Sequence, residues 1–231
     1  MIRFEDLSVE QAALSNKAYI AIPFEIYQSA AGKVSLTVYR SCKNVAEQFL
    51  SAYGDNPFEE EGITWASQRI AAFMADYGYQ YDSQASRAIL EFTAFAGTLK
   101  KRRKNEAVAL KTRDAWLKYE NQTDAEPDFG NAEKGTAYAV IRDDKIISCA
   151  CTNDAFYANG AAEIHVETAL QYRGQGFGFM CTEALTESLC TQGYKVWYKC
   201  YEDNSASVAL AHKCGMQLTG KRISFVCYAD V

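Results

Sequence analysis

Gln171-Tyr172-Arg173-Gly174-Gln175-Gly176-Phe177-Gly178 joins an alternating, strand-like run to a run with helical spacing through alternate glycines. Glycine reaches positive φ and lets backbone come close, so the amides of 174–178 can converge on one anion at the N-terminus of the next helix. That describes a phosphate seat. Before it, Ala162-Glu163-Ile164-His165-Val166-Glu167-Thr168 alternates as a strand does. After it, Met180, Ala184, Leu185 and Leu189 recur at helical spacing and predict a helix over about 177–192. The glycine spacing is G-x-G-x-G, which departs from the dinucleotide fingerprint G-x-G-x-x-G, and no G-K-[ST] follows.

Working outward, two apolar strand runs, 136–141 and 145–152, flank Asp143-Asp144 as a hairpin. Beyond the helix come a strand over 195–201, a helix over 205–213 and a final strand pair over 216–228. This order predicts an α/β (α+β) domain: a mixed sheet with helices packed on it. The polar stretch 121–135, with Pro127, Gly130 and Gly135, reads as a linker, so a boundary near residue 130 is expected. The region before it, 1–130, reads as mainly helical. A helical pattern carrying Ala12, Leu14, Ala18, Tyr19 and Ile22 is interrupted at Pro23; 34–39 alternates as a strand; helices are expected over 44–53, 62–77 and 82–119, the last weakened at Gly97.

A second segment carries chemistry. Asn204-Ser205-Ala206-Ser207-Val208-Ala209-Leu210-Ala211 follows the strand Val196-Trp197-Tyr198-Lys199-Cys200. Asn204 is a good cap for the helix that begins at Ser205. Together with R-G-Q-G-F-G at 173–178, this segment resembles the GNAT superfamily of acyl-CoA-dependent N-acyltransferases, whose patterns are (Q/R)-x-x-G-x-(G/A) and N-x-x-(A/S)-x-x-L-Y. Glu167-Thr168 before the loop and Trp197 on the next strand look like the subgroup of GNAT acetyltransferases built as two-part chains. The resemblance covers about residues 134–228. It implies acetyl-CoA as co-substrate, with Val166, Glu167 and Thr168 along the acyl thioester and pantetheine. Arg173, Gly174, Gln175, Gly176, Phe177, Gly178 and Phe179 would hold the diphosphate, and Asn204 and Ser207 would meet the pantetheine arm. The pattern's tyrosine position is Ala211 here, so the departing thiolate needs another proton source, with Tyr201 and Tyr228 as candidates.

An ammonium cannot attack a thioester until it loses a proton. Glu163, His165 and Glu167 alternate along one strand and so share a face, which makes them the candidate proton carriers or, equally, a solvent-facing polar edge. Glu202 is a weaker candidate. The reading that follows is a direct N-acetyl transfer from acetyl-CoA to a primary amine of a small molecule or peptide, the acceptor side lying in the N-terminal region. Its rivals are an inactive acyl-CoA-binding regulatory module and a transferase using another acyl donor on the same fold.

The formal charge of −5 argues against a surface built generally for nucleic acid. The basic run 100–104 holds no aromatics to stack bases and reads as a solvated helix face. Eight cysteines sit mostly inside apolar runs, and with only His165 and His212 beside them and no CxxC pair they read as reduced core residues rather than disulfide or metal ligands. The N-terminus has no signal-peptide core and no run reaches membrane-spanning length, so a cytoplasmic protein with no membrane partner is expected. A homodimer is compatible with the class.

Overall fold

The computed structural model describes residues 1–15, 18–96, 106–110, 137–152 and 160–229. The linker expected over 121–135, the basic run 100–104 and, of the helix expected over 82–119, residues 97–105 and 111–119 lie outside the described residues. The chain divides into two compact units: residues 1–90 with 201–203 and 219–231, and residues 91–200 with 204–218.

The first unit contains strands β1 (Ile2–Phe4), β2 (Ile20–Ser29), β3 (Val34–Val38) and β4 (Tyr79–Tyr81), helices α1 (Leu7–Leu14), α2 (Lys43–Tyr53) and α3 (Glu60–Ala75), and most of the last strand, Gln217–Ala229. The strand order is β1-β3-β2-last strand, with β4 also pairing the last strand. Alternate residues Phe24 and Ile26 of β2 and Leu36 and Val38 of β3 are buried with Phe49 of α2 and Ile70 and Met74 of α3, forming one apolar core. Phe24 meets Phe49 and Phe225 edge-on at 5.8 and 5.4 Å. The buried Glu10 carboxylate accepts the backbone N–H groups of Arg40 and Ser41, at 2.9 and 3.0 Å, and the Ser41 hydroxyl, so it holds the turn that leads into α2.

Three sequence expectations are corrected here. Residues 20–29 are a strand, although Pro23 read as a helix breaker. The pairing with the last strand shifts between Phe225 and Cys227, so that Ile22 and Pro23 stand opposite the single residue Val226. A proline in such a bulge removes no ladder hydrogen bond. Asp82 accepts the amides of Gln84 and Ala85, at 2.7 and 3.1 Å, which is a helix-cap pattern, yet the chain turns and continues as strand over Ile89–Ala94. The N-terminal region therefore supplies strands as well as helices. The expected pair over 216–228 is one 13-residue strand, because Gly220 is no turn: a Cβ there would stand 2.5 Å from the Tyr27 hydroxyl.

The second unit is built on β5 (Ile89–Ala94), β6 (Val108–Ala109), β7 (Ala137–Arg142), β8 (Lys145–Thr152), β9 (Ala161–Thr168) and β10 (Lys195–Tyr201), in the order β5-β10-β9-β8-β7-β6. Helix α4 (Phe177–Thr191) connects β9 to β10, and α5 (Ser205–Lys213) follows β10. β7 and β8 form an antiparallel hairpin whose turn residues Asp143 and Asp144 have φ of 49° and 59°, as a primed two-residue turn requires. β9 and β10 are parallel, so a crossover connection must join them, and α4 supplies it. α4 packs on β7, β8 and β9, burying Cys181, Leu185 and Leu189 at intervals of one helical turn. The eight cysteines are buried free thiols. Among the described residues, no helix is long and apolar enough to cross a membrane, and no group of three His, Cys, Asp or Glu side chains is placed to hold a metal ion.

Candidate functional site

β9 pairs with β10 only from Ala161 to Ile164, against Lys195 to Tyr198. Past that point the two strands no longer pair, while β9 stays bonded to β8 as far as Thr168 against Ser148. Over 166–168 this side of β9 is extended backbone that does not pair with β10, along which a ligand could lie like an added strand. A cavity of about 530 Å³ lies here, lined on one side by Val166, Glu167 and Thr168. The glycine loop and the first turn of α4 form its floor with Arg173, Gly174, Gly176, Phe177, Gly178 and Phe179. Asn204, Ser207, Leu210 and Lys213 close it from α5.

The three glycines of the loop do different work. Gly174 and Gly176 have φ of +77° and +90°, and a Cβ on either would meet no protein atom within 4 Å. Their conformation calls for glycine, and the space over their backbone is open. Gly178 has an ordinary helical backbone, but a Cβ there would stand 3.0 Å from Thr168 Oγ1 and 3.6 Å from Val166 Cγ2. It lets the helix close on β9. Gly176 is also the N-cap of α4 and gives that helix no side-chain cap, so the helix N-terminus faces the cavity through backbone alone.

The polar side chains around the loop brace it. Arg173 Nε donates to the carbonyl of Thr168 at 2.9 Å, tying the loop to the strand end. Gln175 turns away and donates to the carbonyl of Gln171 at 3.1 Å, so its side chain is not part of the lining. Thr168 Oγ1 lies 2.8 Å from Ser148 Oγ, which also donates to the carbonyl of Glu167 at 3.0 Å. Asn204 Oδ1 accepts the amide of Ser207 at 3.1 Å, so this residue both caps α5 and lines the cavity. Lys213 Nζ lies 4.8 Å over the Phe179 ring, which brings a cation to the same wall.

The three proton-carrier candidates on β9 share a face but not an environment. Glu163 Oε2 accepts Lys199 Nζ from β10 at 2.8 Å, and both side chains are mostly buried. His165 lies opposite Cys151 of β8, with Nε2 3.2 Å from Sγ. Glu167 alone of the three lines the cavity. Of the tyrosines named as proton sources, Tyr201 and Tyr228 belong to the first unit, where Tyr201 lies under the Arg87 guanidinium at 4.0 Å and Tyr228 lies beside Tyr19 at 5.7 Å. Sequence reading missed Tyr198. Burial pushes its phenol up to about 12, against the opposing pull of a hydrogen bond with Ser207. Its alternation with Val196 and Cys200 marked it as inward-facing, but nothing in the spacing named its partner nine residues on. Ala211, at the pattern's tyrosine position, is fully buried.

A mixed sheet with a parallel crossover, a helix that opens from a glycine loop without a side-chain cap, and a cavity lined by that loop and the end of β9 define an α/β domain with a candidate ligand site at the loop. Residues 124–223 match a family model described as GNAT acetyltransferase, and this part of the chain is a GNAT acetyltransferase domain, which makes the protein an acyltransferase. A GNAT-family structure from Novosphingobium aromaticivorans superposes with a TM-score of 0.51 at 19% identity, over 67% of this chain and 69% of its own, and shares the fold. A GCN5-related N-acetyltransferase from Kribbella flavida aligns over 77% of this chain and 76% of its own at 14% identity, with a TM-score of 0.49. No curated protein matches.

Proposed function

We propose that this domain transfers an acetyl group from acetyl-CoA to a primary amine, directly, with both substrates bound together. The observation that carries the reading is the single cavity in which the open edge of β9, the glycine loop at the N-terminus of α4 and the capped start of α5 converge. The loop amides and the helix N-terminus suit the cofactor's diphosphate. The side of β9 over Val166, Glu167 and Thr168 that does not pair with β10 suits a pantetheine arm laid alongside it, which would bring the thioester to the point where β9 and β10 part. The amine's proton leaves by way of the β9 carboxylates, Glu167 in the cavity and Glu163 at the parting point, with His165 between them. With Ala211 in place of a tyrosine, the Ser207 hydroxyl, which lines the cavity and hydrogen-bonds with the Tyr198 phenol, would protonate the departing sulfur.

The test is release of free CoA thiol from acetyl-CoA across a panel of primary amines, from small diamines to lysine peptides. Turnover that depends on the amine supports the reading. Tight binding of acetyl-CoA without turnover on any amine would replace it with a non-catalytic acyl-CoA-binding module.

A further inference from the structure

Lys199 is the first residue of β10 beyond its last pair with β9, and its ammonium already rests on a candidate base. With a rise of about 3.3 Å per residue, Val166 stands roughly 7 Å along β9 from Ile164, the last paired residue, which is within the reach of a lysine's four-methylene stem. The Lys199 Nζ to Glu163 Oε2 distance of 2.8 Å reproduces the contact that an incoming ammonium must make before it can be deprotonated. Trp197 stands beside it with Nζ 5.8 Å from the ring centroid, a placement that favours a cation and keeps this end of the side chain on the sheet face.

From this geometry we infer that Lys199 is an acceptor in its own right: the protein acetylates Lys199 within the same chain when acetyl-CoA is bound and no other amine is present. The inference rests on the acetyl-CoA reading above. In the reaction the Lys199 ammonium gives one proton to Glu163, which passes it to solvent. The freed amine forms a C–N bond with the acetyl carbon, the C–S bond breaks, and the amine's second proton goes to the departing sulfur. The products are an amide at Lys199 and the CoA thiol, with no oxidant or further co-reactant. The amide no longer carries a charge, so the ion pair is lost and Glu163 becomes available to an external amine.

The experiment incubates the full chain with acetyl-CoA alone and follows acetyl occupancy of each lysine by peptide mass spectrometry. Lys33 and Lys43, both exposed, serve as internal references for uncatalysed acetylation. Lys199 should be acetylated at least about a hundredfold faster than either, the low end of what a positioned base gives. The rate per chain should not depend on protein concentration, the preference should vanish in the urea-unfolded chain, and Glu163→Gln should bring Lys199 to the reference rate. Lys199→Arg, which keeps the charge, should remove one acetyl group per chain. If acetyl-CoA raises the melting temperature while Lys199 stays at the reference rate, self-acetylation is overturned and the donor reading stands. If acetyl-CoA neither binds nor labels, both fall. A rate that rises with protein concentration also overturns the inference, since it marks transfer between molecules.

Discussion

Gly176→Ala and Gly178→Ala place the same methyl group two residues apart in one loop and should fail in opposite ways. At Gly176 the new Cβ meets no protein atom within 4 Å, so the folding cost comes only from holding an L-residue at φ +90°. That costs about 1–2 kcal/mol. The same methyl points into the space over the loop amides, where the diphosphate is proposed to sit. Two amide-to-phosphate hydrogen bonds lost at about 1.5–3 kcal/mol each weaken binding by roughly 3–6 kcal/mol, or about a hundredfold to ten-thousandfold. At Gly178 the methyl stands 3.0 Å from Thr168 Oγ1, which is itself held 2.8 Å from Ser148 Oγ and cannot swing away without losing that contact. Overpacking there costs about 1–3 kcal/mol, offset by roughly 1 kcal/mol of helix propensity. The loss should therefore appear in folding, with CoA affinity held. Calorimetric titration with acetyl-CoA beside a urea melt for each variant separates the two effects. If Gly176→Ala keeps full affinity while its melt shifts, the loop is a structural turn and the diphosphate assignment is wrong.

Acetyl-CoA at about a hundred times its Kd should stabilise the native state by about 2.7 kcal/mol, read as a rise in melting temperature, whereas NADH and ATP should leave it in place. An equal rise with NADH would remove the CoA-specific form of the assignment. On a substrate that the parent turns over, Glu163→Gln and Glu167→Gln should lower the rate by about a hundredfold to ten-thousandfold with CoA affinity unchanged, and rates near the parent's for both would take the strand carboxylates out of the mechanism. Burial alone would raise the Glu10 carboxyl, but its hydrogen bonds from Ser41 and the Arg40 amide prevail and hold it below its ordinary value. A group depressed in the folded state stabilises above its unfolded pKa and loses that contribution as pH falls through the folded one. Glu10→Gln should therefore be less stable at pH 7 and show a shallower loss of stability on acidification, and a parallel pair of stability-against-pH curves would contradict this.

The site was far more legible than the first unit, for a reason of distance along the chain. The glycine loop, the strand before it and the helix after it are local signals within 30 residues, and β9, α4, β10 and α5 fall within a residue or so of their expected bounds. Pro23 misled because the residue that makes its strand tolerable, Val226, is two hundred positions away. The final strand was split into a pair because Gly220's reason for being glycine is the ring of Tyr27, across a sheet that no local window contains. Within the site the same limit applies. Alternation put Glu163, His165 and Glu167 on one face, but which of them is bonded to Lys199, to Cys151 or opens on the cavity depends on the register of two neighbouring strands.

Under the proposed mechanism, that register would couple cofactor packing to proton transfer. The even positions of β9, Val166 and Thr168, meet Gly178 of α4, while the odd positions, Glu163 and Glu167, lie on the other side. Moving β9 by one residue past β8 would exchange the two sets, because side chains alternate with a period of two. A glutamate would then face Gly178, where even a methyl group is 3.0 Å from its neighbour, and Ala162 or Ile164 would take the place of Glu163 beside Lys199. The slipped register cannot close the helix on the strand. The close approach at Gly178 thus acts as a gauge for the strand: the contact that seats α4 at the loop also fixes which face of β9 carries Glu163 and Glu167. Enlarging Gly178 and adding a compensating Thr168→Ala should restore both stability and turnover together, whereas restoration of stability without turnover would show that β9 packs against α4 in more than one register.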